Sequence, residues 1–256
     1  MYQPILTLSS GTELKGGSPG SAMKSLTLHT AVNAGQEFTI GSAFSDYIEA
    51  EIWADPGGSL QITAGDALTY YRQDDAGNRT KVGVFYAEKP TRTKRNSYKV
   101  TAYDTMSKLD ADFSSWLRAN QAQFPKTIWQ LVQLACQRAG VALASSSLPI
   151  NGSYSVQAFY ADDLTCRQII SWAAEAAGCY AHMNADGKLQ FLTYTDKRST
   201  AKITPDGASS TAYYADSLSY EDYTVKAIEK VQIRQSDSDV GVIYPDSTTA
   251  TNTYAV

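Results

Sequence analysis

The chain has 256 residues, 43% of them hydrophobic, and sets 22 basic against 26 acidic side chains for a net charge of −4. That balance excludes a general nucleic-acid footprint, which needs a basic domain, and no stretch is apolar for long enough to cross a membrane as a helix. Three cysteines without a Cys-x-x-Cys pair, and only two histidines, give zinc or thioredoxin-like chemistry no local support.

The length allows one large domain or two to three small ones. No charged-then-apolar leader opens the chain, so a soluble, unprocessed protein is expected. Cys136, Cys166 and Cys179 read as buried, reduced thiols, which suits synthesis in a reducing cytoplasm. Ile5-Leu-Thr-Leu8 predicts a short strand, followed by a flexible connection through Gly20. Leu26 and Leu28 alternate with polar neighbours across Ser25 to Val32, and Phe38 to Phe44 reads as a strand carrying Gly41. Ile48, Ala50 and Ile52 alternate with Glu49 and Glu51, which predicts a half-buried strand over Tyr47 to Trp53. Asp55-Pro-Gly-Gly58 is a turn.

Ile62 to Asp66 leads into a strand at Leu68 to Gln73. Asp74 to Asn78 reads as a hairpin loop, Lys81 to Ala87 as the return strand, and Tyr98 to Tyr103 as the closing one. Short strands with turns about every ten residues suggest a small antiparallel barrel or sandwich. Lys89-Pro-Thr-Arg-Thr-Lys-Arg95 places four cations in seven residues; a solvated hairpin turn outweighs a phosphate grip. Leu109, Phe113, Trp116 and Leu117 imply a short connecting helix within Thr105 to Leu117.

Two capped helices follow. Thr127 and Gln130 form a capping box, Ile128, Leu131, Val132, Ala135 and Ala139 one apolar face, and Gly140 the left-handed stop. Thr165 and Gln168 repeat the box ahead of Ile169, Trp172, Ala173, Ala176 and Ala177, with Gly178 as the stop. Trp172 is expected to place its ring between this helix and the next hairpin. The two segments superpose residue for residue at their caps and stops. Convergence on a common capped helix weighs more than duplication. Between them, Val156, Ala158 and Tyr160 fit an edge strand. After Gly178 the period becomes two: Tyr180 and His182 alternate with Ala181 and Met183, Ala185-Asp-Gly187 turns the chain, and Lys188 to Tyr194 runs back.

Beyond a polar stretch from Asp196 to Gly207, strands are predicted at Leu218 to Tyr223 and Ala227 to Arg234, and the last stretch contains Val240 to Tyr244 before a run of Thr, Ser and Asn. Tyr254-Ala-Val256 looks like the start of another. Two strands and a ragged end do not close a barrel, so continuation of the chain, or completion by another subunit, is expected. The fold class is therefore α+β, mainly antiparallel β: a small β-barrel domain at residues 1–110, an inserted domain of two helices plus a hairpin at 111–195, and the start of a second β-barrel domain at 196–256, left incomplete.

Phe38-Thr-Ile-Gly-Ser-Ala43, Ile62 to Asp66, Tyr98-Lys-Val-Thr-Ala-Tyr-Asp-Thr-Met106, Phe124-Pro-Lys-Thr127, Leu164 to Gln168, Trp172 to Ala177 and Gly187 to Phe191 together resemble the baseplate hub proteins of long-tailed phages and prophages. Order and spacing carry the resemblance, which runs from about Ile5 to Tyr254. It implies a trimeric ring at the end of the tail tube. Two barrel-like domains per chain give such a ring a quasi-six-fold face, and a smaller helical domain is inserted beside them. The implied partners are further copies of the full-length chain, the tail tube, and spike or tip proteins, with DNA only passing through the channel. The implied location is the virion tail, assembled in the bacterial host cytoplasm.

No enzyme is expected. His29 and His182 each sit in an alternating strand pattern, which favours surface or satisfied-core histidines over a catalytic base. Nucleophile-elbow, zinc-helix and phosphate-loop motifs are absent. Glu49 with Glu51 and Asp162 with Asp163 are carboxylate pairs, but nothing selects either as an acid and base. No catalytic, cofactor-binding or metal-ligating residue is assigned, and no cofactor is expected. The alternative is a carbohydrate-binding tail-tip module, in which some of the 17 tyrosines stack on host sugars. A row of exposed aromatics in a groove would mark that alternative; aromatics on flat lateral faces would mark a hub.

Overall fold

The computed structural model describes residues 2–17, 22–33, 39–54, 62–194, 230–233, 242–244 and 253–255. The chain divides into two compact units, Met1–Asp196 and Lys197–Val256. In the first, eight strands form one antiparallel sheet: β1 (Gln3–Leu8), β2 (Glu13–Lys15), β3 (Met23–His29), β4 (Tyr47–Trp53), β5 (Ala67–Gln73), β6 (Arg79–Ala87), β7 (Thr91–Lys94) and β8 (Ser97–Asp104). The hydrogen-bonded path is β2-β1-β5-β6-β8-β4-β3, with β7 beside β8. It follows from period-two burial. Ile48, Ala50 and Ile52 turn inward from β4 and pair in register with Ala102, Val100 and Tyr98 of β8, so both strands feed one core with Leu6, Leu68 and Phe85.

The antiparallel α+β architecture is the one expected. Among the described residues β2 and β3 share no ladder, so the barrel is open along that seam by hydrogen bonding. At three residues, β2 offers a seam partner little to pair with. The basic run also differs from a simple turn. Thr91–Lys94 is a fully exposed strand, and the chain reverses after it to enter β8. Its shortness, its charges, Pro90 and an irregular register between Arg92 and Lys94 are features that blunt a sheet edge against further pairing.

The expected strand at Phe38 to Phe44 is replaced by something else; Phe38 itself lies outside the described residues. Gly41 takes φ +86° in a turn, and the chain beyond it runs beside the later hairpin, with an isolated parallel bridge from Ala43 to Ala181. Gly41 N donates to Cys179 O at 3.0 Å, and Ala181 N donates to Ser42 O at 2.8 Å. A segment assigned by its pattern to the first sheet is thus one tie between that sheet and the helical part.

The chain leaves β8 through a 3-10 helix, Thr105–Asp110, whose cap is Asp104. An extended Ala111 ends it, and α1 (Ser114–Ala119) starts where Asp112 accepts from the N–H groups of Ser114 and Ser115. One expected helix is therefore two pieces. β9 (Lys126–Thr127) and β10 (Ser155–Val156) form a minimal pair. The edge strand expected through Ala158 and Tyr160 stops at Val156. The helices α2 (Ile128–Ala139) and α3 (Cys166–Ala176) carry complete capping boxes on Thr127 with Gln130 and on Thr165 with Gln168. Gly140 and Gly178 follow their helices with φ of +66° and +60°. Replacing Thr127 or Thr165 by alanine is expected to cost about 1 kcal/mol each in urea unfolding, and nearly additively, because each cap serves its own helix.

The buried stripe of α3 is Cys166, Ile169, Ile170, Ala173 and Ala174, continued by Ala177. Trp172 is 47% exposed, which corrects its expected position between helix and hairpin. Ile170 and Ala174 occupy the inner face instead, because a helix packed closely on α2 and the hairpin favours small or compact side chains there. The hairpin of β11 (Cys179–Met183) and β12 (Leu189–Thr193) turns at Gly187. Residues around Leu143 lie beside β12 as Ala43 lies beside β11, so the hairpin is flanked on both edges.

In the second unit the described strands are β13 (Lys230–Ile233), β14 (Val242–Tyr244) and β15 (Thr253–Ala255). β13 pairs antiparallel with β14 and parallel with β15. The turn at Asp55 to Gly58, the polar stretch from Asp196 to Gly207 and the strand at Leu218 to Tyr223 lie outside the described residues.

Candidate functional site

Buried polar side chains converge where the sheet meets the hairpin. Asp46 precedes β4, Asp104 ends β8, and His182 is the next-to-last residue of β11. His182 Nε2 lies 3.1 Å from Asp46 Oδ2, which also accepts from Thr30 Oγ1 at 2.9 Å. Asp104 accepts from Ser45 Oγ at 2.7 Å, from Asp46 N at 3.2 Å and from Met106 N at 3.0 Å. Burial pushes the Asp104 carboxyl up to about 6, with the Ser45 hydroxyl opposing and Asp46 adding to the rise. The hydrogen bond to Asp46 raises His182 above the ordinary histidine value, against a smaller opposing effect of burial. Ser45 addresses Asp104 and not the imidazole, so no nucleophile is activated here.

The other singled-out residues have structural surroundings. His29 stacks on Tyr47 with centroids 4.3 Å apart, its Nε2 3.9 Å from Glu49 and outside hydrogen-bond reach. Glu49 pairs with Lys99 at 2.6 Å and Glu51 with Lys24 at 2.9 Å. Those bonds hold both carboxyls below the usual range. Asp162 meets Arg118 at 3.2 Å, and Asp163 takes φ +56° just ahead of α3. Arg92 turns its guanidinium onto the carbonyls of Lys94 and Arg95, so one cation of the basic run braces its own turn. All three cysteines are free and buried. Burial pushes Cys136 up to about 12 and Cys179 to about 11, and raises Cys166 as well, which leaves these thiols unreactive at neutral pH. Among the described residues no group of three or more His, Cys, Asp or Glu is placed to hold a metal ion.

An apolar pocket of about 170 Å³ opens between α2 and α3, lined by Ile128, Leu131, Val156, Phe159, Ile169, Trp172 and Ala173. Trp172 forms its rim and meets Phe159 edge-on at 6.4 Å. Trp172→Ala is therefore expected to lower stability by only about 1 to 2 kcal/mol, since roughly half the ring is already wet. A loss of 3 kcal/mol or more in a urea titration would place the ring in the core after all.

Sequence reasoning singled out His182 but not its carboxylate partners. Thr30, Ser45, Asp46, Asp104 and His182 are scattered along the chain, and only the fold brings them together. One local signal existed: Asp104 ahead of Thr105-Met106 has the form of a helix cap, which is one of its roles.

No family model matches the chain, and no curated protein matches it. Solved structures do. The 43 kDa tail protein of prophage MuSo2 from Shewanella oneidensis aligns with 99% of this chain and 71% of its own, at a TM-score of 0.56 and 13% identity. The fold is shared with phage tail proteins. The tail protein from Neisseria meningitidis MC58 is similar over 100% of this chain and 71% of its own, at a TM-score of 0.51 and 13% identity. At such identities the likeness is one of fold.

Proposed function

We propose that the chain is a structural component of a phage or prophage tail, and within it a subunit of the hub ring that joins the tail tube to the spike or tip. The observation that carries this reading is the fold likeness to two tail proteins over 99% and 100% of the chain. The order of sequence segments that resembles baseplate hubs points the same way. In this reading residues 1–110 and 196–256 belong to two barrel-like domains, and 111–195 form the inserted helical one. Three copies of the natural protein close a ring around an open channel in the virion tail. The net charge of −4 suits such a channel, since phosphate adhesion needs basic contacts and passing DNA must not stick.

The carbohydrate-binding alternative draws less support. The apolar pocket beside Trp172 is lined by aliphatic and aromatic side chains, among which the Trp172 indole N–H is the one group able to hydrogen-bond a sugar hydroxyl. The aromatic row of His29, Tyr47 and Tyr103 lies across adjacent strands of a sheet face rather than in a groove.

The natural protein is expected to run as a trimer in gel filtration coupled to light scattering. A strict monomer across micromolar concentrations would overturn the ring. Antibody labelling of intact virions should mark the tail end, and label confined to the head would remove the tail assignment itself. Incubation with peptidoglycan or peptide substrates should release nothing; cleavage abolished by a point substitution would overturn the structural reading.

A further inference from the structure

We infer that Asp46, Asp104 and His182 form a proton-operated clamp, which ties the β11–β12 hairpin to the sheet and loosens when it loses protons. The geometry is a closed cluster at a joint. Asp46 and Asp104 are 9% and 4% exposed. They are supplied by the segment before β4 and by the end of β8, while His182 comes from the hairpin. The Asp46 Oδ2 to His182 contact, at 3.1 Å, crosses the joint. The other oxygen of that carboxylate, Asp46 Oδ1, is enclosed with no hydrogen-bond partner. With the ring neutral and both carboxyls ionised, two negative charges share one buried site and one of their oxygens is unsatisfied. A proton on the ring gives Asp46 an opposite charge. A second proton, on Asp104, removes the like-charge repulsion, with Ser45 Oγ at 2.7 Å able to turn and accept it.

The charges bearing on the ring are Asp46 and Asp104, and the charge bearing on Asp104 is Asp46. β12 places the uncharged Gln190 opposite His182, and Thr30 after β3 contributes a hydroxyl. The two protonations act in the same direction. His182 is raised above its ordinary 6.5, so its stabilisation is complete below that value and is lost as pH rises through the higher value of the closed clamp. Asp104 is raised from 3.8 to about 6 by burial, so the folded cluster retains a proton there that an exposed carboxyl would release, and this stabilisation is lost as pH rises from 3.8 through about 6. The clamp is therefore tight near pH 5 and loose near pH 8. What it holds are the backbone bonds alongside, Gly41 N to Cys179 O and Ala181 N to Ser42 O.

Amide hydrogen exchange on the full chain, corrected for intrinsic rates, tests this. Protection at Ala181 and Gly41 is expected to fall on the order of tenfold between pH 5.5 and 8, while amides of the β5–β6 ladder hold steady. His182→Gln and Asp104→Asn should each flatten the dependence. An unchanged pH profile in His182→Gln, or equal loss in β5 and β6, overturns the clamp. If Asp104→Asn does not fold, the histidine variant and an NMR titration of the His182 ring carry the test. A ring titrating at or below the ordinary histidine value overturns it too.

Discussion

Gly41→Ala is expected to lower the stability of the Met1–Asp196 unit by about 3 kcal/mol or more, which at this size moves the melting temperature by roughly 10 °C. Two effects add. Gly41 holds φ +86°, a conformation that side chains with a Cβ rarely adopt. A Cβ there would also stand 2.6 Å from Glu175 Cβ, 2.8 Å from Ser171 O and 2.9 Å from Glu175 Cα. Two of those three atoms belong to the α3 backbone and cannot swing aside. Ser171 Oγ meanwhile donates to Gly41 O at 2.6 Å, so relief by moving the loop breaks that bond and strains the pairing with Cys179. Differential scanning calorimetry of the variant decides the matter. An unchanged melting temperature would mean that the turn leaves α3 freely and does not tie the sheet to the helices. Gly140→Ala is the control, because its φ is also positive at +66° but nothing lies within 4 Å of a Cβ there. It isolates the conformational part, expected near 1 kcal/mol.

Phe113→Ala should be as damaging, at about 3 to 5 kcal/mol in urea unfolding. The ring is fully enclosed and packs on Trp116 at 5.2 Å between centroids. Its surroundings are also poorly able to collapse. Phe113 N donates to Leu164 O at 2.7 Å, Leu164 N to Ser114 Oγ at 2.6 Å and Cys166 N to Ala111 O at 2.9 Å. These bonds fix the start of α1 against the start of α3, so truncation leaves a cavity instead of a resettled core. Phe113→Leu should recover most of the loss, because it restores volume at the same place. If both variants unfold alike, the tilted ring contact with Trp116 rather than volume would be the controlling term.

The two variants probe different joints. Gly41 lies where the sheet meets the hairpin, and Phe113 where the chain passes from the sheet into the helical part. The Asp46, Asp104 and His182 cluster lies at the first joint and adds a dependence on protons that neither apolar packing nor backbone pairing supplies.

Local chemistry carried much of the fold. Thr127 with Gln130, Thr165 with Gln168, and the glycines at 140 and 178 marked two helices whose caps form as their residue types dictate, because a capping box satisfies its own backbone within four residues. The alternation Ile48, Ala50, Ile52 determined which face of β4 enters the core, and Ala185-Asp-Gly187 placed the hairpin turn. Tertiary packing decided the rest. Trp172 is more apolar than Ala174, yet the inner face of α3 took the alanine, since two helices and a hairpin can approach closely only over small side chains. Gly41 to Ala43 left the sheet for β11 because the glycine turns the chain there, and period-two patterning does not name a strand's partner. The buried cluster was legible only as His182 alone: carboxylates separated from it by more than seventy residues acquire their shifted protonation from desolvation and from each other, and neither exists until the sheet and the hairpin meet.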